Sequence, residues 1–422
     1  MRFLYTLLLS VLMPVIVLRL WWRGRHAAGY RQRMGERFAR VPDAVSSGVI
    51  WFHAVSVGET IAAVPLIRAW QQQHPGDAVL VTSTTPTGSE RVRALLGDSV
   101  SHCYLPYDLP CLMRRFVRRI APRVLVVMET ELWPNTMAAC HQAGVPVLLA
   151  NARLSAKSAR GYARLPALTK PMLQQLTAVA VQNPVDGERF LALGLPADRL
   201  HITGSVKFDV SIDEALREQA AALRSCWSEH GRRRLGIAAS THEGEDAIVL
   251  AAHRQLLAQH PDARLVLVPR HPERFARVAE QAAAAGFAVA RRSAGDPAAA
   301  AEVIIGDTMG ELLLFYGAAD VALVGGSLLP IGGHNLLEPA AWGVPVLSGA
   351  HTHNFTEIAR LLADAGALRT VSADDLAEAV AHLLENAAER QRCARAGQAV
   401  LAANRGAVSR QLALLNECLA VG

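Results

Sequence analysis

The stretch Val303–Phe355, VIIGDTMGELLLFYGAADVALVGGSLLPIGGHNLLEPAAWGVPVLSGAHTHNF, contains two successive strand, glycine-turn, helix units. In the first, the apolar run Val303–Ile305 ends in Gly306-Asp307-Thr308, and Leu312, Leu313, Phe315 and Tyr316 then recur at helical spacing behind Met309-Gly310-Glu311, so a helix is expected to start near Thr308. In the second, Val321–Val324 reads as a short buried strand. Gly325-Gly326-Ser327 and Gly332-Gly333 break it, and Asn335-Leu336-Leu337-Glu338-Pro339 opens another helix. Free N–H groups at two helix starts, with glycines that allow close approach, suit a phosphate. Glu338, one turn in, is placed to take two ribose hydroxyls. Any doubly wound sheet has Gly-rich βα turns, so neither turn alone decides the matter, but the two together favour a nucleotide site.

The same alternation extends outward in both directions. Strands are expected near 48–53, 77–83, 101–105, 123–128, 146–150, 178–182 and 200–203 with helices between them, and a second set starts at Leu235 and continues through RLVLVPR and FAVARRS. This predicts two α/β domains on mostly parallel sheets. The divisions are a membrane anchor and basic flank at 1–40, an N-terminal Rossmann-like domain at 41–205, a linker at 206–233, a C-terminal Rossmann-like domain at 234–386 and a helical tail at 387–422.

A chain of 422 residues with net charge +6 carries its positive excess unevenly. Arg19, Arg23, Arg25, Arg31, Arg33, Arg37 and Arg40 crowd one segment. A nucleic-acid site is one reading of such a run. The preceding residues argue for a membrane instead: Phe3 to Leu18 carries no charge, and Leu20, Trp21 and Trp22 bring the run close to the ~20 residues of a spanning helix. The positive-inside rule then puts the arginines and the rest of the chain in the cytoplasm, with Trp21 and Trp22 at the interface. A cleaved signal peptide is the competing reading, but no A-x-A site follows the apolar run directly. Pro14 and Arg19 leave open whether the segment spans or lies in one leaflet. The six cysteines, at 103, 111, 140, 226, 393 and 418, form no C-x-x-C pair and read as reduced thiols.

Carboxylates are expected at the strand ends where open α/β sheets bind ligands. Glu59, in HAVSVGET at 53–60, opens a helix after the first strand. It is either a general base for an acceptor hydroxyl or an acid capping that helix. Glu129 and Glu131, in ETELWPN at 129–135, follow the strand Val124–Val127. Lys207, in GSVKFD, sits at the end of the first domain, where an ammonium can meet charge on a departing phosphate. Arg270, in PRHPERF at 269–275, ends the strand Arg264–Val268 and can hold a phosphate bidentately. His334, His351 and His353 fit polar lining better than ligands, and with no D-x-D or H-E-x-x-H present the expectation is catalysis without a metal. Arg153, Lys157, Arg160, Arg164 and Lys170, interleaved with Tyr162, Leu165 and Leu168, form either a solvated face or a surface for lipid phosphates and acyl chains.

Together GDTMGEL, GGHNLLEPAAWG, PRHPERF, HAVSVGET and ETELWPN resemble the bacterial 3-deoxy-D-manno-octulosonic acid (Kdo) transferases of lipopolysaccharide core biosynthesis, in order and over nearly the whole chain. The resemblance implies a GT-B architecture, two Rossmann-like domains facing a cleft. It also implies an inverting glycosyltransferase that moves Kdo from CMP-Kdo to a lipid A precursor at the cytoplasmic side of the inner membrane, with inner-membrane lipids as partners, no nucleic acid and no separate cofactor. By the same resemblance Glu59 is the base, Glu129 stabilises the transition state and Lys207 meets the leaving phosphate. Pro269, Arg270, Met309, Gly310, Glu311, Asn335, Leu336, Leu337 and Glu338 take the CMP moiety. The alternatives are another GT-B enzyme with a nucleotide sugar and a lipid acceptor, or a membrane-tethered nucleotide-binding regulator.

Overall fold

Short runs of Val, Ile, Leu and Ala, each closed by a polar or glycine-rich turn, form two seven-stranded parallel sheets in the computed structural model, which describes residues 1–25 and 28–421. The chain separates into two units, Met1–Asp209 plus the residues from Arg405 onward, and Val210–Asn404.

Unit 1 holds β1 (Ile50–His53), β2 (Val79–Ser83), β3 (Ser101–Tyr104), β4 (Val124–Met128), β5 (Val147–Ala152), β6 (Ala178–Val181) and β7 (Leu200–Ile202), in the order β3-β2-β1-β4-β5-β6-β7. Helices cover both faces, so the central strands are largely apolar and successive residues feed different cores. Trp51, Leu80, Leu125 and Val127 enter one core, and Ile50, Phe52, Val81 and Val126 enter the other. Inside β1, His53 is buried with its Nδ1 2.9 Å from the Thr82 hydroxyl, and burial lowers its pKa to about 4. It is a neutral core histidine.

Unit 2 holds β8 (Arg234–Thr241), β9 (Ala263–Pro269), β10 (Val289–Arg291), β11 (Val303–Ile305), β12 (Val321–Val324), β13 (Val346–Ser348) and β14 (Leu368–Thr370), in the order β10-β11-β9-β8-β12-β13-β14. In each sheet the strand order reverses beside its first strand. The crevices therefore open between the loops after β1 and β4 in unit 1, and after β8 and β12 in unit 2.

The chain divides differently from the sequence reading in three places. Much of the 206–233 stretch is the helix Glu214–Trp227, whose Ala220, Leu223 and Trp227 belong to a core of unit 2. The tail is two helices: Ala387–Asn404 stays in unit 2, and Ala407–Val421 returns to unit 1, where Ala407, Leu414, Leu415 and Cys418 complete a core. The break between them is Gly406, at φ 92°. Within the arginine-rich flank, Arg37 is buried and bonds the Thr84 carbonyl, and Arg33 pairs with Glu36 at 2.7 Å. These two serve the fold, and neither is a free surface cation.

Asp209 fastens the returning helix, its carboxylate accepting from the N–H groups of Gly406 and Val408 at 2.6 Å each. Asp209→Ala is expected to cost about 1–2 kcal/mol, the scale of a lost N-cap. Faster amide exchange in 407–421 with unchanged exchange in unit 2 is the measurement that checks it.

Candidate active site

In unit 1 the crevice is lined from the backbone outward. Ser56 caps the helix Val57–Gln73, accepting from Glu59 N while its hydroxyl donates to Glu59 Oε1 at 2.9 Å, and Val55 N donates to Oε2 at 2.8 Å. This is a variant of the S-x-x-E capping box, in which the glutamate accepts from the N–H one residue ahead of the cap and from the cap's hydroxyl. The capping reading of Glu59 is therefore part of the structure, and it fixes the carboxyl at the mouth of the crevice. Burial raises that carboxyl from 4.5 to about 7; its two donors oppose the rise, and nearby Glu131 and Glu129 add to it. A carboxylate poised there suits proton abstraction near neutral pH.

Across the crevice, the turn after β4 puts Glu129 at φ 57°, a left-handed conformation uncommon for a glutamate and held by its N–H bond to the Ala150 carbonyl. Its Oε2 meets Arg153 Nε at 2.7 Å. Burial and the neighbouring Glu129 both raise the Glu131 carboxyl. Lys207 lies on the turn Val206–Phe208, where burial pulls its ammonium downward and the charge of Glu129 opposes that pull. Glu59, Glu129, Glu131, Arg153 and Lys207 thus form one electrostatically connected group.

Sequence reasoning missed what holds this group in place. Asn151, at φ 50° and fully buried, accepts from Val206 N at 3.2 Å and so sets the turn that carries Lys207. Gln411, on the returning helix, accepts from Asn151 N at 3.1 Å and donates to the Thr203 hydroxyl at 3.2 Å. An Asn in the apolar strand VLLANA was the available signal for the first. Nothing local marks Gln411.

Unit 2 brings together Arg270, at the end of β9, with His242, His271, His334 and Glu338. His242 and His334 stack with Nε2 atoms 2.8 Å apart, and burial followed by the charge of Arg270 takes His334 down to about 4. Glu338 stands in the first turn of the helix Leu337–Trp342, where Asn335 Nδ2 donates to its Oε1 at 3.0 Å and Asn335 Oδ1 accepts from Leu337 N at 3.1 Å. Burial raises its carboxyl, with Asn335 and Arg270 opposing.

The other half of the expected donor site looks different. The helix after Met309-Gly310-Glu311 starts at Leu312, because Gly310 stands at φ 89°, and Glu311 is engaged by Arg292 at 2.7 Å and by the Thr308 hydroxyl. Met309 is exposed. Both helices expected to hold phosphate are a turn or two long, Leu312–Ala318 and Leu337–Trp342, too short for a developed macrodipole. The glycine turn after β12 is already filled. The wholly buried carboxylate of Glu245 accepts from Gly326 N at 2.7 Å, Ser327 N at 3.0 Å, Leu328 N at 2.9 Å and His242 N at 2.9 Å. Among the described residues no group of three or more His, Cys, Asp or Glu side chains is arranged to hold a metal ion.

Residues 32–210 match the 3-deoxy-D-manno-octulosonic-acid transferase (kdotransferase) family and residues 248–400 match the glycosyl transferases group 1 family. The chain is 45% identical to a 3-deoxy-D-manno-octulosonic acid transferase of Haemophilus influenzae, over 99% of each chain. It belongs to the 3-deoxy-D-manno-octulosonic acid transferase family. A relative of the same description from Bordetella pertussis is 41% identical, again over 99% of both chains. A UDP-GlcNAc 2-epimerase from Neisseria meningitidis, crystallised with UDP-GlcNAc, shares the fold alone, with TM-score 0.56 and 14% identity over 88% of this chain and 100% of that one. The transferase is thus a glycosyltransferase of GT-B type whose two units each carry a crevice where the strand order reverses.

Proposed function

We propose that this chain moves Kdo from CMP-Kdo to a lipid A precursor in lipopolysaccharide assembly, at the cytoplasmic side of the inner membrane and without a metal or a separate cofactor. The observation that carries the reading is the Glu59 carboxyl, fixed at the unit 1 switch point and titrating near 7, in a chain 45% identical to a named Kdo transferase. Glu59 takes the proton of the acceptor hydroxyl as that oxygen bonds the anomeric carbon of Kdo. The bond to the CMP phosphate breaks on the opposite face, its electron pair leaving with CMP. Lys207 meets the charge on the departing phosphate, and Glu129, oriented by Arg153, faces the positive character of the anomeric centre. The exposed side chains of Lys157, Arg160 and Arg164, beside exposed Leu165, supply a surface for acceptor phosphates and acyl chains. In unit 2, Arg270 takes a phosphate oxygen and Glu338 the ribose hydroxyls.

Incubation with CMP-Kdo and a tetra-acylated lipid A precursor in EDTA, followed by mass spectrometry of the lipid, tests this directly. Addition of Kdo mass is the expected result. Tight CMP binding without product would favour the regulator, and product that disappears with EDTA would remove metal independence from the reading. Glu338→Ala is expected to weaken CMP by about 1.5–3 kcal/mol, the loss of charged hydrogen bonds in a shielded site. Unchanged affinity by calorimetry would leave Glu338 as a helix-start acid only.

A further inference from the structure

The apolar helix Arg2–Arg23 has the length and composition of a membrane span, yet its two faces have different surroundings. Tyr5, Leu9, Met13, Val17, Leu20 and, just past its end, Gly24 recur every three or four residues and are half-buried or buried. From Tyr5 to Gly24 that stripe covers a rise of about 29 Å. On the other side Leu4, Leu8, Val11, Val15, Leu18 and Trp22 are exposed.

The start of the helix is tied to unit 1, and so is the segment that follows it. Near the start, Tyr5 donates to Asp108 Oδ2 at 3.0 Å, and Thr6 exchanges bonds with the Asn135 side chain at 3.0 and 3.3 Å. The Asp108 carboxylate also accepts from Asn135 N at 2.9 Å and from Thr136 N and its hydroxyl at 2.7 Å each, so it belongs to the buried frame of the unit. After the helix, Gly29 lies against Pro86, and Arg33 donates to Ser89 at 2.9 Å. A helix crossing the bilayer must part from the protein along its length. It would otherwise draw Asp108, Asn135 and Thr136 into hydrocarbon, where such groups are costly.

Pro14 points the same way. Its missing N–H leaves the Ser10 carbonyl without the usual helical donor, a small cost beside water and a larger one at mid-bilayer. The charges complement a lipid surface: Arg19, Arg23 and Arg25 cluster at one end, Arg25 and Arg31 lie over the Trp21 ring at 5.3 and 4.4 Å, and the exposed Trp21 and Trp22 are residues that favour the headgroup level.

We propose that Arg2–Arg23 is an in-plane anchor, one face packed on unit 1 and the other sunk into a single leaflet rich in anionic lipid. The helix never crosses. The transfer reaction does not depend on this reading, nor does this reading depend on the reaction.

The test uses the full chain in native membranes, with one epitope tag ahead of Met1 and another after Gly422, which follows the unit 1 helix. Protease is added to spheroplasts and, separately, to inverted vesicles. Cleavage of both tags in the same preparation is expected; cleavage of one tag in each preparation means a span and overturns the proposal. The companion variant carries Leu8→Asp, Val11→Asp and Val15→Asp on the exposed face. Its affinity for vesicles of phosphatidylethanolamine and phosphatidylglycerol should fall at least about tenfold, with the thermal transition kept. Undiminished binding overturns the proposal. So does a wild-type dimer that stays soluble without lipid and dissociates in this variant, because the stripe would then be covered by a second copy.

Discussion

Glu59→Gln is expected to lower turnover by about 10²–10⁴-fold, the scale of a lost general base, while CMP binding survives. The substitution is mild structurally, because Gln at the fourth position of a capping box still reaches the Ser56 and Val55 partners. The pH profile separates chemistry from fold. With the carboxyl near 7, the ionised base is lost as pH falls through that value, so the wild-type rate drops about tenfold per unit below it. The variant lacks that limb. Stability moves oppositely: between 4.5 and about 7 the folded state binds this proton more tightly than the unfolded chain, so wild-type stability falls as pH rises across that window. The amide removes the slope, and the variant should melt no lower than wild type at pH 8. Near-normal turnover would remove Glu59 as base and turn attention to Glu131, whose carboxyl is also raised.

The largest structural loss is expected from Glu245→Ala. Four backbone N–H groups converge on that carboxylate in a site with no exposure. Truncation orphans all four and opens the turn after β12, for which a destabilisation of unit 2 by roughly 3–5 kcal/mol is expected. Glu245→Gln should fall between, since its oxygen accepts while its amino group opposes a donor. Calorimetry should show the transition of unit 2 falling and CMP binding weakening with it, and a wild-type transition in the Ala variant would refute the assignment.

Glu245 also shows where reading the sequence stopped. Most strands of unit 1 were legible because β1, β2, β4, β5 and β6 are buried, largely apolar runs closed by a turn residue. β14 was not, because Arg369 and Thr370 of its three residues are exposed, and the short buried run of β13 went unread beside it. Glu59 was found because its motif matched a family; Glu245 stands in a local pattern like it, Gly244-Glu245 after β8 as Gly58-Glu59 after β1, and was passed over. Three of its four donors lie some eighty residues away, at 326–328, and periodicity carries no information about such contacts. The glycines there looked free for phosphate only because the acid that fills them was out of sight. The helix Ala407–Val421 posed the same difficulty, since an apolar stripe states that a core exists without stating which one.

That last helix sets an order of events in synthesis. Unit 2 is encoded as one uninterrupted run, Val210–Asn404, whereas the core of unit 1 lacks Leu414, Leu415 and Cys418 until residues 407–421 are made. At ribosomal speeds of about 5–20 residues per second, unit 1 waits on the order of 10–40 s with an open hydrophobic face while the rest of the chain is made. Until residues 407–421 are made, nascent unit 1 is thus a half-closed domain, and a chain terminated before Ala407 leaves that core face uncovered.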